Sequence, residues 1–130
     1  MLVRPWSRDL DYKVLVKWWD QHDFGKVPKE CLPPLGLVVE DALGTSICAG
    51  GLYVCDGTKF GFMEWVVGDP KASPKLLHKC LKLLIDGLIK LARKEGCLLL
   101  YTVTENPGLH KRYVKYHGLS KGENSARTFV

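Results

Sequence analysis

With 130 residues, 46% of them hydrophobic and 25% charged, the chain fits one compact domain over residues 1–130 and is set apart from disordered, fibrous and membrane-spanning classes. A net charge of +5 suits an anionic ligand without choosing among cofactor phosphates, nucleic acid and lipid headgroups. Cys31, Cys48, Cys55, Cys80 and Cys97 are odd in number and contain no C-x-x-C pair, which excludes a disulfide framework or zinc knuckle and predicts reduced thiols in or near the core.

The first residues lack a basic segment followed by an apolar run, so neither export nor a membrane anchor is expected, and a cytoplasmic location follows. Met1 to Trp6 reads as a short strand closed by Pro5. Ser7 is placed to cap a helix that starts near Arg8 and ends near Gly25. Its periodicity sets Leu10, Val14, Trp18 and Gln21 on one face and Tyr12, Lys13, Lys17 and Asp20 away from it. Lys26 to Pro34 carries three prolines and predicts a loop or helical turn.

Leu35–Glu40, Thr45–Cys55 and Lys59–Val67 predict three strands of an antiparallel meander, joined at Asp41–Gly44 and Asp56-Gly57. The pair Gly50-Gly51 marks a bulge or a close backbone approach. Ser73-Pro74 is a helix start: Ser73 supplies the cap, and Pro74 takes the first helical position, which wants a fixed φ and no N–H. The helix runs to Glu95, with lysines recurring opposite Leu77, Leu81, Leu84, Leu88 and Leu91, and Gly96 stops it. Cys97–Val103 is then a buried strand parallel to the one before the helix, completing a βαβ unit. Leu109–His117 predicts a short basic helix closed by Gly118, and a small hairpin turns at Gly122-Glu123-Asn124.

This order of elements, with Val3-Arg4-Pro5, Glu64 to Pro70, Asn106, Tyr113 and Gly118, resembles the GNAT acetyltransferase superfamily along essentially the whole chain. The Trp18-Trp19 pair, the proline-rich loop to Leu35-Gly36 and Met63-Glu64-Trp65 are similar to short acetyltransferase-like proteins of phage and bacterial genomes. The resemblance implies an α/β (α+β) fold. Its mixed central sheet would have an antiparallel N-terminal meander, fourth and fifth strands that splay apart, and a long helix between them. It also implies acetyl-CoA as cosubstrate, with its pantetheine arm in the splay against Trp65, Val66 and Val67 and its pyrophosphate at the N-terminus of the long helix.

The usual pyrophosphate loop of that family has an Arg or Gln and two closely spaced glycines, and Asp69 to Lys75 has none of these. Lys71, Lys75 and Lys79 can offer point charges there and Ser73 a hydroxyl, the alternative being a capped helix with solvated lysines. By the same resemblance Glu64 is the candidate general base and Asn106 a pantetheine ligand. Tyr113, seven residues after Asn106, is the candidate acid for the departing thiolate. Gly118 falls one residue later than the family spacing after Tyr113, which leaves Tyr116 as an alternative.

Glu64 also reads as a solvated or lysine-paired side chain, either tyrosine as an ordinary core residue, and Asn106-Pro107-Gly108 as a plain turn. Trp18, Trp19, Trp65 and Phe24 read first as core and second as acceptor-pocket lining. His22, His78, His110 and His117 show no metal spacing, so no metal is expected and these side chains are placed at the surface or at helix ends.

The resulting expectation is an N-acetyltransferase acting on a primary amine of a small molecule or protein. The alternative is a GNAT-fold binding or inhibitory protein that has lost the cofactor. Lys111, Arg112, Lys115 and Lys121 form a basic cluster without a base-reading motif, so nucleic-acid binding is the weakest reading. The C-terminal hairpin leaves a sheet edge that a second copy could cover, making a homodimer.

Overall fold

A computed structural model describes residues 1–130. β1 (Leu2–Pro5) leads into α1 (Arg8–Gln21), and a single 3-10 turn at Lys29–Cys31 follows. β2 (Leu35–Glu40), β3 (Ser46–Val54) and β4 (Phe60–Gly68) form the antiparallel meander. α2 (Pro74–Lys94) crosses to β5 (Leu99–Val103), and α3 (Pro107–His117) with the hairpin β6 (Ser120–Lys121) and β7 (Ser125–Phe129) completes the chain. The seven strands make one sheet in the order β1-β2-β3-β4-β5-β7-β6, parallel only where β4 meets β5. The predicted mixed sheet and the long helix between β4 and β5 are both present.

Two apolar layers sandwich the sheet. On one face α2 buries Cys80, Leu84, Ile85, Leu88 and Ala92 against Val39, Cys48, Leu52, Met63 and Leu100, and α3 adds Tyr113. Each fully buried Leu or Ile of this set contributes roughly 1.5–3 kcal/mol. On the other face α1 buries Leu15, Trp18 and Trp19 against Val38, Ala49 and Val67, with Trp6 and Leu32 filling the join. Gly36 and Gly51 are dictated by that join: a Cβ at either would stand 2.2 or 2.6 Å from the Trp6 indole, inside any tolerable contact.

The buried face of α1 differs from the expected one. Leu10 is 82% exposed, while Asp11, Leu15, Trp18 and Trp19 turn inward. The cause is an ion pair that hydropathy cannot show: Arg4 of β1 donates to both carboxylate oxygens of Asp11, at 2.8 and 2.9 Å, and its Nε donates to Glu40 at 2.9 Å. The Ser7 N–H also donates to Asp11, at 2.7 Å, so a carboxylate with three bonded donors is buried at little penalty and rotates the helix about its axis. α1 ends at Gln21, short of Gly25, because the His22 N–H already closes on the Trp18 and Asp20 carbonyls.

Two further expectations are corrected. Cys48, Cys80 and Cys97 are buried thiols and Cys55 is half-buried, but Cys31 is exposed at the end of the 3-10 turn. His117 was expected at the surface or a helix end. It does close α3, yet its side chain is fully buried against α2, with Nδ1 2.7 Å from Asp86 Oδ1.

Candidate active site

The site is built on β4, and it begins with a local irregularity. Cys48 and Ala49 pair with Gly68 and Val67, but Gly51 pairs with Glu64, so Trp65 and Val66 together face Gly50 and β4 holds one extra residue. Trp65 absorbs the bulge in a left-handed conformation, φ 63°, which is costly for a tryptophan. Its indole Nε1 donates to the Tyr53 hydroxyl at 2.8 Å, and Tyr53 in turn donates to the Cys31 carbonyl. Gly50-Gly51 accordingly marks both a bulge and a close approach, with the extra residue on the opposite strand. A Cβ on Gly50 would press on Leu88 and Val66 at 3.0 Å.

β4 has already parted from β5 before the bulge is reached. Their parallel pairing covers only Phe60 to Phe62 against Leu99 to Tyr101. One residue later the Thr102 hydroxyl donates to the Met63 carbonyl, and the Val103 N–H, left without a strand partner, donates to Glu64 Oε1 at 3.1 Å. From Trp65 to Gly68 β4 has no neighbour on that side. The Asp69 N–H bonds back to the Ile47 carbonyl of β3, and Val67 faces Ala49. Strand alternation then turns the main-chain groups of Val66 and Gly68 toward the gap, while those of Val67 belong to β3.

Glu64 stands at the apex of this V. Burial pushes its carboxyl up to about 7, against a smaller lowering by the Val103 N–H. Across the apex Tyr113 of α3 is buried in the core. Burial raises its phenol well above the ordinary value, a hydrogen bond with Thr102 works the other way, and the Glu64 charge adds to the rise. Tyr116 lies elsewhere: it is exposed, edge-on to His78, with Arg112 and Lys115 at 5.7 and 5.2 Å from its ring centre. Of the two tyrosines, Tyr113 alone reaches the apex.

The gap continues into a cleft of ≈ 250 Å³ lined by Val66, Val67 and Gly68 on β4, Leu77 and Leu81 on α2, and Asn106, Leu109 and Arg112 at α3. His22 and Phe24 cross its outer side with their rings stacked at 5.2 Å, and His22 Nε2 donates to the Gly68 carbonyl at 2.9 Å. Asn106 caps α3, accepting from the Leu109 N–H at 3.0 Å. Arg112 reaches the His78 ring at 3.1 Å.

The loop between β4 and α2 is largely self-satisfied. Asp69 accepts from the Lys71 N–H through Oδ1 at 2.9 Å and from the Ala72 N–H through its carbonyl at 3.1 Å. Ser73 Oγ caps α2 by accepting from the Leu76 N–H. Pro70 and Pro74 have no N–H, so Ser73 and Lys75 hold the open main-chain donors at this helix start. Lys71, Lys75 and Lys79 are exposed around it.

No protein-family model matches the sequence, and no curated protein matches it. Solved structures do. A ribosomal-protein-alanine N-acetyltransferase from Brucella melitensis superposes with TM-score 0.74 at 12% identity, covering 100% of both chains. A Mycobacterium tuberculosis protein in complex with CoA and NLQ gives TM-score 0.73 at 20% identity, covering 95% of this chain and 74% of that one. An acetyltransferase of the GNAT family from Staphylococcus aureus gives 0.71 at 10% identity, over 98% of each chain. The chain has the GNAT fold.

Within that fold, Glu64, Val66, Tyr113 and Asn106 gather around the splay, whereas Lys71, Ser73 and Lys75 sit at the start of α2. Trp65 points its indole away from the gap, toward Tyr53. Sequence reasoning missed His22, Arg112 and Asp69. Asp69-Pro70 carried a legible turn signal, since an Asx side chain before proline takes up nearby amides. Nothing in the sequence signalled that His22, past the end of α1, would bond to a strand 46 residues away.

Proposed function

We propose that the protein is an N-acetyltransferase that moves an acetyl group from acetyl-CoA to a primary amine. The observation that carries this reading is the Glu64 carboxyl held at the apex of the β4–β5 splay, where burial brings it up to about 7, the range in which a general base works best. The residues present fit the acyl-pantetheine end of the cosubstrate: an apolar cleft, main-chain groups of Val66 and Gly68 facing it, and the Asn106 side chain at its rim. Arg112, together with the open amides of Ser73 and Lys75, is left to meet the phosphates.

Acetyl-CoA supplies the thioester to be attacked. Glu64 takes a proton from the incoming ammonium, directly or through one water, so that the amine nitrogen can form its bond to the acetyl carbon. The Val66 N–H is directed where negative charge builds on the acetyl oxygen. As the carbon–sulfur bond breaks, the Tyr113 hydroxyl supplies the proton to sulfur, and the second proton that the nitrogen sheds on becoming an amide restores the phenol through solvent. A raised phenol suits that task because it stays protonated until the thiolate needs it.

One observation favours a second reading, a GNAT-fold binding protein without the cofactor: Asp69 and Ser73 occupy amides that a diphosphate would use. Thiol release from acetyl-CoA, followed against a panel of amines, separates the two. The enzymatic reading expects turnover that rises with pH through about 7, and a roughly 10³-fold loss in Glu64→Gln. A chain that neither binds acetyl-CoA nor releases thiol is the binding protein.

A further inference from the structure

On the sheet face opposite α2, α1 covers the β1–β4 side and leaves the strip along β4, β5 and β7 without a helix. Phe60 and Phe62 lie on that face by alternation with the buried Met63, and their rings meet at 4.9 Å. Tyr101, across from Phe62, packs at 6.0 and 6.4 Å from the two phenylalanines and donates to Ser125 Oγ. Phe129, opposite Leu99 on β7, is 81% exposed, and Arg127, opposite Tyr101, is exposed and in no ion pair. Glu64 belongs to the same face at the upper end of this strip, with Trp65 held beyond it against Tyr53.

We propose that this aromatic strip is the docking surface for an extended polypeptide, whose lysine or N-terminal amine is presented to Glu64. The inference rests on the acetyltransferase reading and names its acceptor class. Phe60 is four residues from Glu64, about 13 Å along the strand. That is the reach of about four residues of extended peptide and exceeds that of a small amine. Small-molecule sites are enclosed cavities, whereas this surface is an open row of aromatics, the composition that anchors protein partners. The free Arg127 cation beside the row selects an acidic residue in the segment, and the Glu64 carboxylate selects the ammonium at its end.

The test uses a fluorescein-labelled octapeptide with a lysine, two aliphatic residues and one glutamate downstream. It is measured against a serine-substituted control, by anisotropy on the protein without donor and by thiol release with acetyl-CoA. Binding of the aliphatic peptide, weakened about tenfold by Phe129→Ser and by Arg127→Glu with acetyl-CoA affinity unchanged, is the expected result. Equal binding of the two peptides, or small amines turned over with higher kcat/KM than any peptide, overturns it. So does a dimer in sedimentation that Phe129→Ser dissolves, since a second copy would then own the strip. Because anisotropy needs no donor, loss of peptide binding and loss of acetyl-CoA binding are read separately.

Discussion

The two ends of the β4–β5 pair differ in one respect from which the rest of the site follows. At Phe60 to Phe62 the strands are zipped by parallel pairing and flanked by packed aromatic rings. From Met63 onward the main-chain ladder is replaced by side chains: Thr102 holds Met63, and Glu64 holds the Val103 N–H. A ladder satisfies its groups permanently. A carboxylate satisfying a single amide keeps a second oxygen for other work and is half-desolvated while it waits. The bulge at Trp65 follows directly on that change, and its left-handed φ carries a local cost.

Substitutions at the open end should therefore act on chemistry, and the largest after Glu64→Gln is Tyr113→Phe, expected to lower kcat about 10²-fold. Tyr116→Phe, on the outer surface, should change it less than twofold, and steady-state thiol release distinguishes the pair. If Tyr116→Phe carries the larger loss, the apex is misassigned.

A smaller effect tests the loop. Asp69→Gly frees the Lys71 N–H and removes a carboxylate from the phosphate end, so acetyl-CoA should bind about three- to tenfold more tightly in a fluorescence titration. Weaker binding would mean that Asp69 shapes the loop for the cofactor rather than against it.

The smallest effect is on stability. Glu64 has its carboxyl raised from 4.5 to about 7 in the fold, so the protonated form is favoured there. Stability is fully present below 4.5 and declines as pH rises through about 7, where the charged form is buried. Glu64→Gln should lack that decline and be about 1–2 kcal/mol more stable than the parent at pH 8, a figure discounted because the carboxyl is part-exposed. Urea midpoints at pH 4 and pH 8 check it.

Much of the frame was legible in the sequence because single residues announced it. Ser73-Pro74 and Gly118 fixed helix ends through their backbone chemistry, and Leu35–Glu40 was read to the residue. What failed was whatever depended on a distant partner. Asp11 turns inward because Arg4 of β1, itself held by Glu40 of β2, pairs with it, and the face of α1 turns with it. His117 looked like an ordinary helix-end residue until Asp86 of α2 met it. In the site, Glu64 and Tyr113 are named through the resemblance, and the bulge marked at Gly50-Gly51 is not traced to Trp65 on the opposite strand, because a tryptophan with positive φ contradicts every local preference and is held by Tyr53 and Cys31 from outside. The self-satisfied loop was missed for a related reason: absent glycines were visible, and the amides they would have freed were not.

The central claim, that the splay below His22 and Phe24 is the acyl-donor cleft, is tested most directly by calorimetric titration of acetyl-CoA into the parent protein and into Leu109→Trp, which fills the cleft from α3. The account predicts saturable binding to the parent and none to the filled variant, with both chains equally folded by circular dichroism. No heat from the parent, or equal affinity in the two, would contradict it.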